Sequence, residues 1–265
     1  MSDIRTTFRQ AHAEGRIALV GYLPAGFPDP DAFGEMVETA VGAGLDVLEI
    51  GLPTADARLD GQVIRTALQA MRRHGVDVDR ALELGALALC RAGCVGLAML
   101  YADTLAEYGV EHLLVRCARL GISGLLPVGM DPEASEELVQ LARRHAVQTV
   151  GFITANADEQ AMQATIARSS GFVYVQSTGG KTGEGAFFDE ALRSRLARIR
   201  RLAAPLDLPI AVGFGIRNPE DVARVREMGA DGAIVGTALV EAASQGKERM
   251  QSFVYGLAQA ARQKE

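Results

Sequence analysis

Glu49 is the residue whose type is hardest to explain by packing. Residues 47–50 are otherwise aliphatic or β-branched and end at a Gly-Leu-Pro turn, so they are predicted to form a short buried strand. A buried carboxylate without a partner is destabilising or stays neutral through a raised pKa. The following loop adds Asp56 and Asp60, and Glu49 with a loop aspartate has the composition of an acid/base pair. The alternative is that Glu49 is paired with a buried arginine.

Glycine-rich turns give a second chemical signal. They are Gly183, Gly213-Phe214-Gly215 and Gly236-Thr237, and each lies just after a predicted strand. Such turns offer unhindered backbone N–H groups, and the helix predicted after Gly236 directs its N-terminus at an anion. A single glycine can simply end a strand. Three such turns after consecutive strands predict a phosphate site.

Apolar runs and helical patterns alternate regularly along the chain. Strands are predicted at 17–23, 47–50, 95–101, 122–128, 147–153, 171–175, 209–212 and 232–235. Helices are predicted at 3–14, 33–41, 62–73, 79–91, 104–119, 133–145, 157–168 and 189–203, then from 218 and after 237. Eight strand–helix units in about 250 residues predict an α/β fold, a (β/α)₈ TIM barrel. No linker divides the chain, so residues 1–265 are expected to form one barrel domain with extra N-terminal and terminal helices.

A barrel of this kind carries its site at the carboxyl ends of the strands. Three of the five tyrosines, Tyr22, Tyr101 and Tyr174, fall at or near such ends, where each offers an aromatic wall and a hydroxyl donor. The alternative for each tyrosine is packing at the barrel rim. The loop 179–185 is expected to act as a lid, with Thr182 hydrogen-bonded to a carboxylate such as Asp60. The alternative is a solvated loop without function.

Composition excludes several function classes. A net charge of −6 argues against nucleic acid or an anionic membrane as a partner, and no apolar run is long enough for a membrane span. Three cysteines at no zinc spacing favour a reduced, cytoplasmic protein. The three lysines lie outside the strand-like runs, and the four histidines are far apart in the sequence. Neither a Schiff-base lysine nor a histidine metal site is therefore expected, and no cofactor or metal is predicted.

The motifs together resemble the tryptophan synthase α subunit family. The resemblance runs nearly end to end and is carried by residues 48–53 with Asp56 and Asp60-Gly61, 22–28, 100–102, 108–110, Thr182-Gly183, 213–216 and 232–238. It implies a (β/α)₈ barrel that cleaves indole-3-glycerol phosphate to indole and glyceraldehyde 3-phosphate by cofactor-free retro-aldol chemistry.

The resemblance also implies residue roles. Glu49 would carry the proton to indole C3 and take one from the side-chain hydroxyl, while Asp60 would stabilise the charge on the indole N–H. Tyr174 would lie against the substrate. The phosphate would be held by Gly183, Gly215, Gly236 and Thr237.

Departures from the family pattern are concentrated where the resemblance implies a β-subunit docking surface. Loop two has Thr54-Ala55 for the usual Phe-Ser and Ala57 for the usual proline. Tyr101-Ala102-Asp103 stands for the usual Tyr-x-Asn, and 127–132 replace an Asp-Leu-Pro segment. Outside that surface, Thr178 of loop six replaces an arginine. A β subunit is thus a possible partner with a weakened or altered docking surface. Two alternatives stay open: a free-standing lyase of a specialised pathway that releases indole, and an idle α-like protein that activates a β-type partner.

Overall fold

The strands form one parallel sheet that curves into a barrel. The computed structural model describes residues 3–130, 132–177 and 188–262. Within them the strands are β1 (Ala18–Pro24), β2 (Val47–Gly51), β3 (Val95–Tyr101), β4 (Gly124–Val128), β5 (Gln148–Thr149), β6 (Gly151–Ile153), β7 (Val173–Gln176), β8 (Ile210–Gly213) and β9 (Gly232–Val235). Their order in the sheet is β5-β4-β3-β2-β1-β9-β8-β7-β6. The predicted (β/α)₈ barrel is confirmed.

The two edge segments, β5 and β6, are halves of the single strand that was predicted at 147–153. β5 pairs with β4, whereas β6 pairs with β7. Between the halves, the Val150 N–H still donates to Leu125 O of β4, and the next N–H, of Gly151, donates to Phe172 O. The fifth strand therefore changes its hydrogen-bonding partner at Val150, and this change joins the two edges of the sheet.

Helices cover the outside of the barrel. They are α1 (Ile4–Ala13), α2 (Phe33–Gly42), α3 (Gln62–Arg73), α4 (Val78–Ala92), α5 (Ala102–Tyr108), α6 (Val110–Leu120), α7 (Pro132–Arg144), α8 (Glu159–Ala167), α9 (Glu190–Ala203), α10 (Pro219–Glu227), α11 (Thr237–Ser244) and α12 (Lys247–Ala261). The single helix predicted at 104–119 is wrong, because Gly109 adopts φ +92° and ends α5 before α6 begins. That backbone angle is open to glycine and interrupts helical hydrogen bonding.

The N-terminal helix closes the end of the barrel opposite the predicted site. Ile4 and Phe8 of α1 are buried, and the Phe8 ring lies 5.2 Å from that of Phe172. Gly124 and Gly232 leave the space that these side chains fill, since a Cβ at either position would overlap Ile4 or Phe8. The other end of the barrel is left for ligands.

The outer helices are those of a folded barrel. No helix among the described residues is long and apolar enough to cross a membrane.

Candidate active site

Glu49 lies in β2 at the centre of the barrel mouth. The parallel register places it opposite Tyr22 of β1 and Leu97 of β3. Its side chain is buried, and its Oε2 atom has no hydrogen-bond partner within the described residues. Burial first, and then the charge of Asp60, raise the pKa of Glu49 to about 8. No arginine contributes to that shift, so the structure favours the acid/base interpretation over a buried ion pair.

Asp60 is the second buried carboxylate of this mouth. It ends loop two, just before Gly61 caps α3, and only 4% of its surface is exposed. The Tyr101 hydroxyl donates to Asp60 Oδ2 at 2.9 Å, and the Leu59 N–H donates to that hydroxyl at 3.3 Å. Tyr101 thus fixes both the carboxylate and the backbone of loop two. The structure brings Glu49 and Asp60 together in the wall of one cavity.

The three predicted tyrosines line this cavity as well. Tyr22, Tyr101 and Tyr174 are all buried, with at most 7% of their surface exposed. Burial is the largest cause of a raised pKa in each. The charge of Asp60 adds to it in all three, and the charge of Glu49 adds to it in Tyr22 and Tyr174. They therefore stay protonated at neutral pH, and each can donate a hydrogen bond from its hydroxyl, as Tyr101 does to Asp60.

Two glycines make room for two of these tyrosines. A Cβ on Gly51 would overlap the Tyr22 hydroxyl, and a Cβ on Gly213 would overlap the Tyr174 hydroxyl. Gly213, predicted to bind phosphate, thus has a packing reason to be glycine. Its carbonyl accepts the Ser177 N–H at 2.9 Å.

The rest of the cavity wall is apolar, and of its residues only Phe214, as part of the predicted phosphate turn, was singled out from the sequence. It consists of Leu59, Ile64, Met99, Leu126, Val128, Phe152, Phe214 and Ile234. The Phe152 ring meets the Tyr174 ring edge-on, with centroids 5.2 Å apart, and the Tyr174 ring meets that of Phe214 at 6.1 Å. An apolar slot with aromatic faces and two carboxylates suits a flat aromatic ligand with one polar N–H.

A second cavity adjoins the first and shares Tyr174, Phe214, Ile234 and Gly236 with it. Its remaining wall is Gly215, Ile216, Arg217 and Thr237. Thr237 is the first residue of α11, and its Oγ1 is buried without a hydrogen-bond partner among the described residues. A Cβ on Gly236 would fit without a clash, since it would come no closer than 3.8 Å to any neighbour. A helix N-terminus with an unsatisfied hydroxyl is a natural anion site.

Part of the prediction cannot be placed. Thr182, Gly183 and the predicted lid fall within residues 178–187, which lie outside the described residues.

The fold and the residues that line the two cavities together define the class of protein. The chain is a (β/α)₈ barrel in which two buried carboxyl groups line an aromatic slot, and this slot adjoins a second cavity at the N-terminus of α11, the candidate anion pocket.

Comparison with known proteins identifies the family. The chain matches the family described as tryptophan synthase alpha chain over residues 8–265. It is 36% identical over 243 residues to the tryptophan synthase alpha chain of Thioalkalivibrio sulfidiphilus, covering 91% of this chain and 89% of the relative. The counterpart from Nocardia farcinica is 34% identical over 264 residues, covering 98% and 96%. A structure of Mycobacterium tuberculosis tryptophan synthase has a TM-score of 0.91 at 31% identity and covers 99% of both chains. The chain belongs to the tryptophan synthase alpha chain family, as its motifs predicted.

Proposed function

We propose that this chain is a carbon–carbon lyase that cleaves indole-3-glycerol phosphate to indole and glyceraldehyde 3-phosphate. The observation that carries the proposal is the buried Glu49 carboxyl, unpartnered at Oε2 and with a pKa of about 8, in a slot whose far end adjoins an anion pocket. Membership of the tryptophan synthase alpha chain family supports it.

The acid/base chemistry follows from the protonation state of Glu49. With a pKa of about 8, the Glu49 carboxyl is mostly protonated at neutral pH and can give its proton to indole C3. Asp60 then stabilises the positive charge on the indole N–H. The Glu49 carboxylate next removes the proton of the side-chain hydroxyl. The C–C bond breaks, its electrons return to the indole ring, an aldehyde forms, and Glu49 is protonated again.

The substrate is positioned from both ends. Tyr22, Tyr101 and Tyr174 enclose the indole, with Phe152 packed against Tyr174. The phosphate is held by the Gly215 and Gly236 backbone and by Thr237, at the N-terminus of α11. Binding the phosphate at a fixed distance from Glu49 keeps the scissile bond in place.

The direct test is the purified chain with indole-3-glycerol phosphate, alone and with a tryptophan synthase β subunit. Indole release is the expected result, and fast release without a partner would mark the free-standing lyase. Slow release that a β subunit strongly stimulates would mark an ordinary partner-dependent α chain. A chain that releases no indole under either condition and still activates a β subunit would be the idle α-like alternative. That result would refute the proposal.

Stability should depend on pH because of Glu49. Its pKa of about 8 in the folded chain exceeds the value of about 4.3 for an exposed glutamate. Between these values the folded state holds one more proton than the unfolded state, so the free energy of unfolding falls as pH rises. The loss is about 3–5 kcal/mol, at about 1.36 kcal/mol per pKa unit. Urea unfolding from pH 5 to pH 9 measures it.

Glu49→Gln is the matched variant, because it keeps the shape but cannot ionise. Its free energy of unfolding should not fall in this way as pH rises. Near pH 9 the variant should therefore be more stable than the wild-type chain. Parallel pH profiles for the two proteins would contradict a raised Glu49 pKa.

We expect weak binding of an ordinary tryptophan synthase β subunit. In loop two, Ala55, Asp56 and Arg58 are exposed, and the Arg58 guanidinium lies beside Gly129 of the segment after β4. The two patches that depart from the family pattern are thus adjacent. Anchor residues of an interface contribute about 2 kcal/mol or more each to the binding free energy. Loop two of this chain lacks the bulky phenylalanine and the proline that are usual in the family.

Calorimetric titration with the β subunit of a relative whose α chain keeps the usual loop-two residues measures this interaction. The matched control carries Thr54→Phe, Ala55→Ser and Ala57→Pro together, and it should bind more tightly. Tight one-to-one binding of the unmodified chain, with strong activation, would refute the prediction.

A further inference from the structure

Arg195 of α9 makes contacts that an arginine on the outside of a barrel has no general reason to make. Its side chain is half-buried, and its guanidinium donates to the backbone carbonyls of Ala155, Gln176 and Ser177. Ala155 follows β6, whereas Gln176 ends β7. The Arg195 guanidinium therefore links the segments that follow two neighbouring strands.

Further hydrogen bonds connect the residues that Arg195 contacts. The Gln176 side-chain oxygen accepts the Ala155 N–H at 3.2 Å. The Ser177 N–H donates to Gly213 O at 2.9 Å, and its buried hydroxyl donates to Phe214 O at 2.5 Å. The bonds thus lead from α9, through the end of β7, to the turn that follows β8.

That turn lines the anion pocket, and its backbone is strained at Phe214. Phe214 has φ +69° and Gly215 has φ +74°. A residue with a side chain is rarely held in the left-handed region unless its surroundings fix it there. The Ser177 bond to Phe214 O is one such restraint, and the Phe214 ring packed against Tyr174 is another.

We infer that Arg195 is a positioning residue for phosphate binding, which acts through Ser177 on the turn Gly213-Phe214-Gly215. This inference rests on the proposed function. Arg195 fixes the main chain at Gln176 and Ser177, so that the Ser177 hydroxyl holds Phe214 O and the Gly215 N–H stays aimed at the anion. The arginine suits the task because a guanidinium can donate to several carbonyls at once.

The test compares two probes by calorimetry: an indol-3-ylalkyl phosphate, which has no bond that a retro-aldol step can cleave, and indole alone. Arg195→Ala should weaken binding of the phosphate probe about tenfold or more, as expected when hydrogen bonds to a charged group are lost. Its affinity for indole should stay near the wild-type value. In kinetics the loss should fall mainly on KM, and Arg195→Lys should restore part of it.

Two further variants separate positioning from general stability. Arg198→Ala removes another arginine of α9, one that pairs with Glu159 at 3.6 Å, and should change neither affinity. Ser177→Ala should reproduce the Arg195→Ala effect, and the double variant should be no weaker than either single one, because both act on the same turn.

Several results would overturn the inference. They are an unchanged phosphate affinity in Arg195→Ala, an equal loss for both probes, or additive effects of the two substitutions. If Arg195→Ala does not fold, Ser177→Ala and Arg195→Lys decide: full phosphate affinity in both would also overturn it. If the wild-type chain does not bind the phosphate probe, both this inference and the proposed function fail.

Discussion

The lyase activity of Glu49→Gln is expected to be about 10²–10⁴-fold lower than that of the wild-type chain, which is the usual contribution of general acid–base catalysis. The amide has the size and shape of the carboxyl but can neither give a proton to indole C3 nor take one from the hydroxyl. Both proton transfers of the proposed reaction fail together. The loss should appear in kcat, since Glu49 lies in the slot and not in the adjoining anion pocket.

Binding controls identify the cause of the loss. The indol-3-ylalkyl phosphate should bind Glu49→Gln with nearly wild-type affinity. Glu83→Gln, at an exposed carboxylate of α4 that pairs with Arg116 at 3.2 Å, should leave activity unchanged. Activity of Glu49→Gln within a few fold of wild type would remove Glu49 from the mechanism.

The sequence predicts the polar part of the site because its residues are out of place there. Glu49 stands in an apolar strand, and Tyr101 and Tyr174 fall at strand ends, where a barrel collects its ligand contacts. Phe152 and Leu126 could not be recognised in the same way. An apolar residue that faces the barrel mouth has the same pattern as one in the core, and only the register of the closed sheet separates the two.

Backbone features were equally hard to predict. A glycine in a helical pattern is usually tolerated, and nothing in the sequence around Gly109 requires φ +92°. Phe214 is not a residue type expected at φ +69°. Arg195 belongs to an arginine-rich helix, in which solvent exposure is the ordinary expectation, and only its contacts with the ends of two strands set it apart.

Gly236→Asp is expected to weaken binding of the phosphorylated probe about 100-fold. The residue lies where the two cavities join, directly before α11. A Cβ there would meet its neighbours only at ordinary contact distance, so we expect an aspartate to be accommodated without unfolding the barrel. It would place a negative charge within a few ångströms of the phosphate, where repulsion between two charges amounts to about 1–4 kcal/mol depending on solvent access. It would also occupy the helix N-terminus that the anion otherwise uses.

Two neutral variants at Gly236 separate charge from size. Gly236→Ala adds only a Cβ, whose nearest neighbours would be Ile64 at 3.8 Å and Tyr22 at 3.9 Å, and should bind the probe almost normally. Gly236→Asn has the shape of aspartate without its charge and should fall between the other two. Circular dichroism checks that all three fold, and calorimetry gives the affinities. If asparagine weakens binding as much as aspartate, obstruction alone is responsible. If all three variants keep full affinity, Gly236 only ends β9, and the phosphate is bound elsewhere.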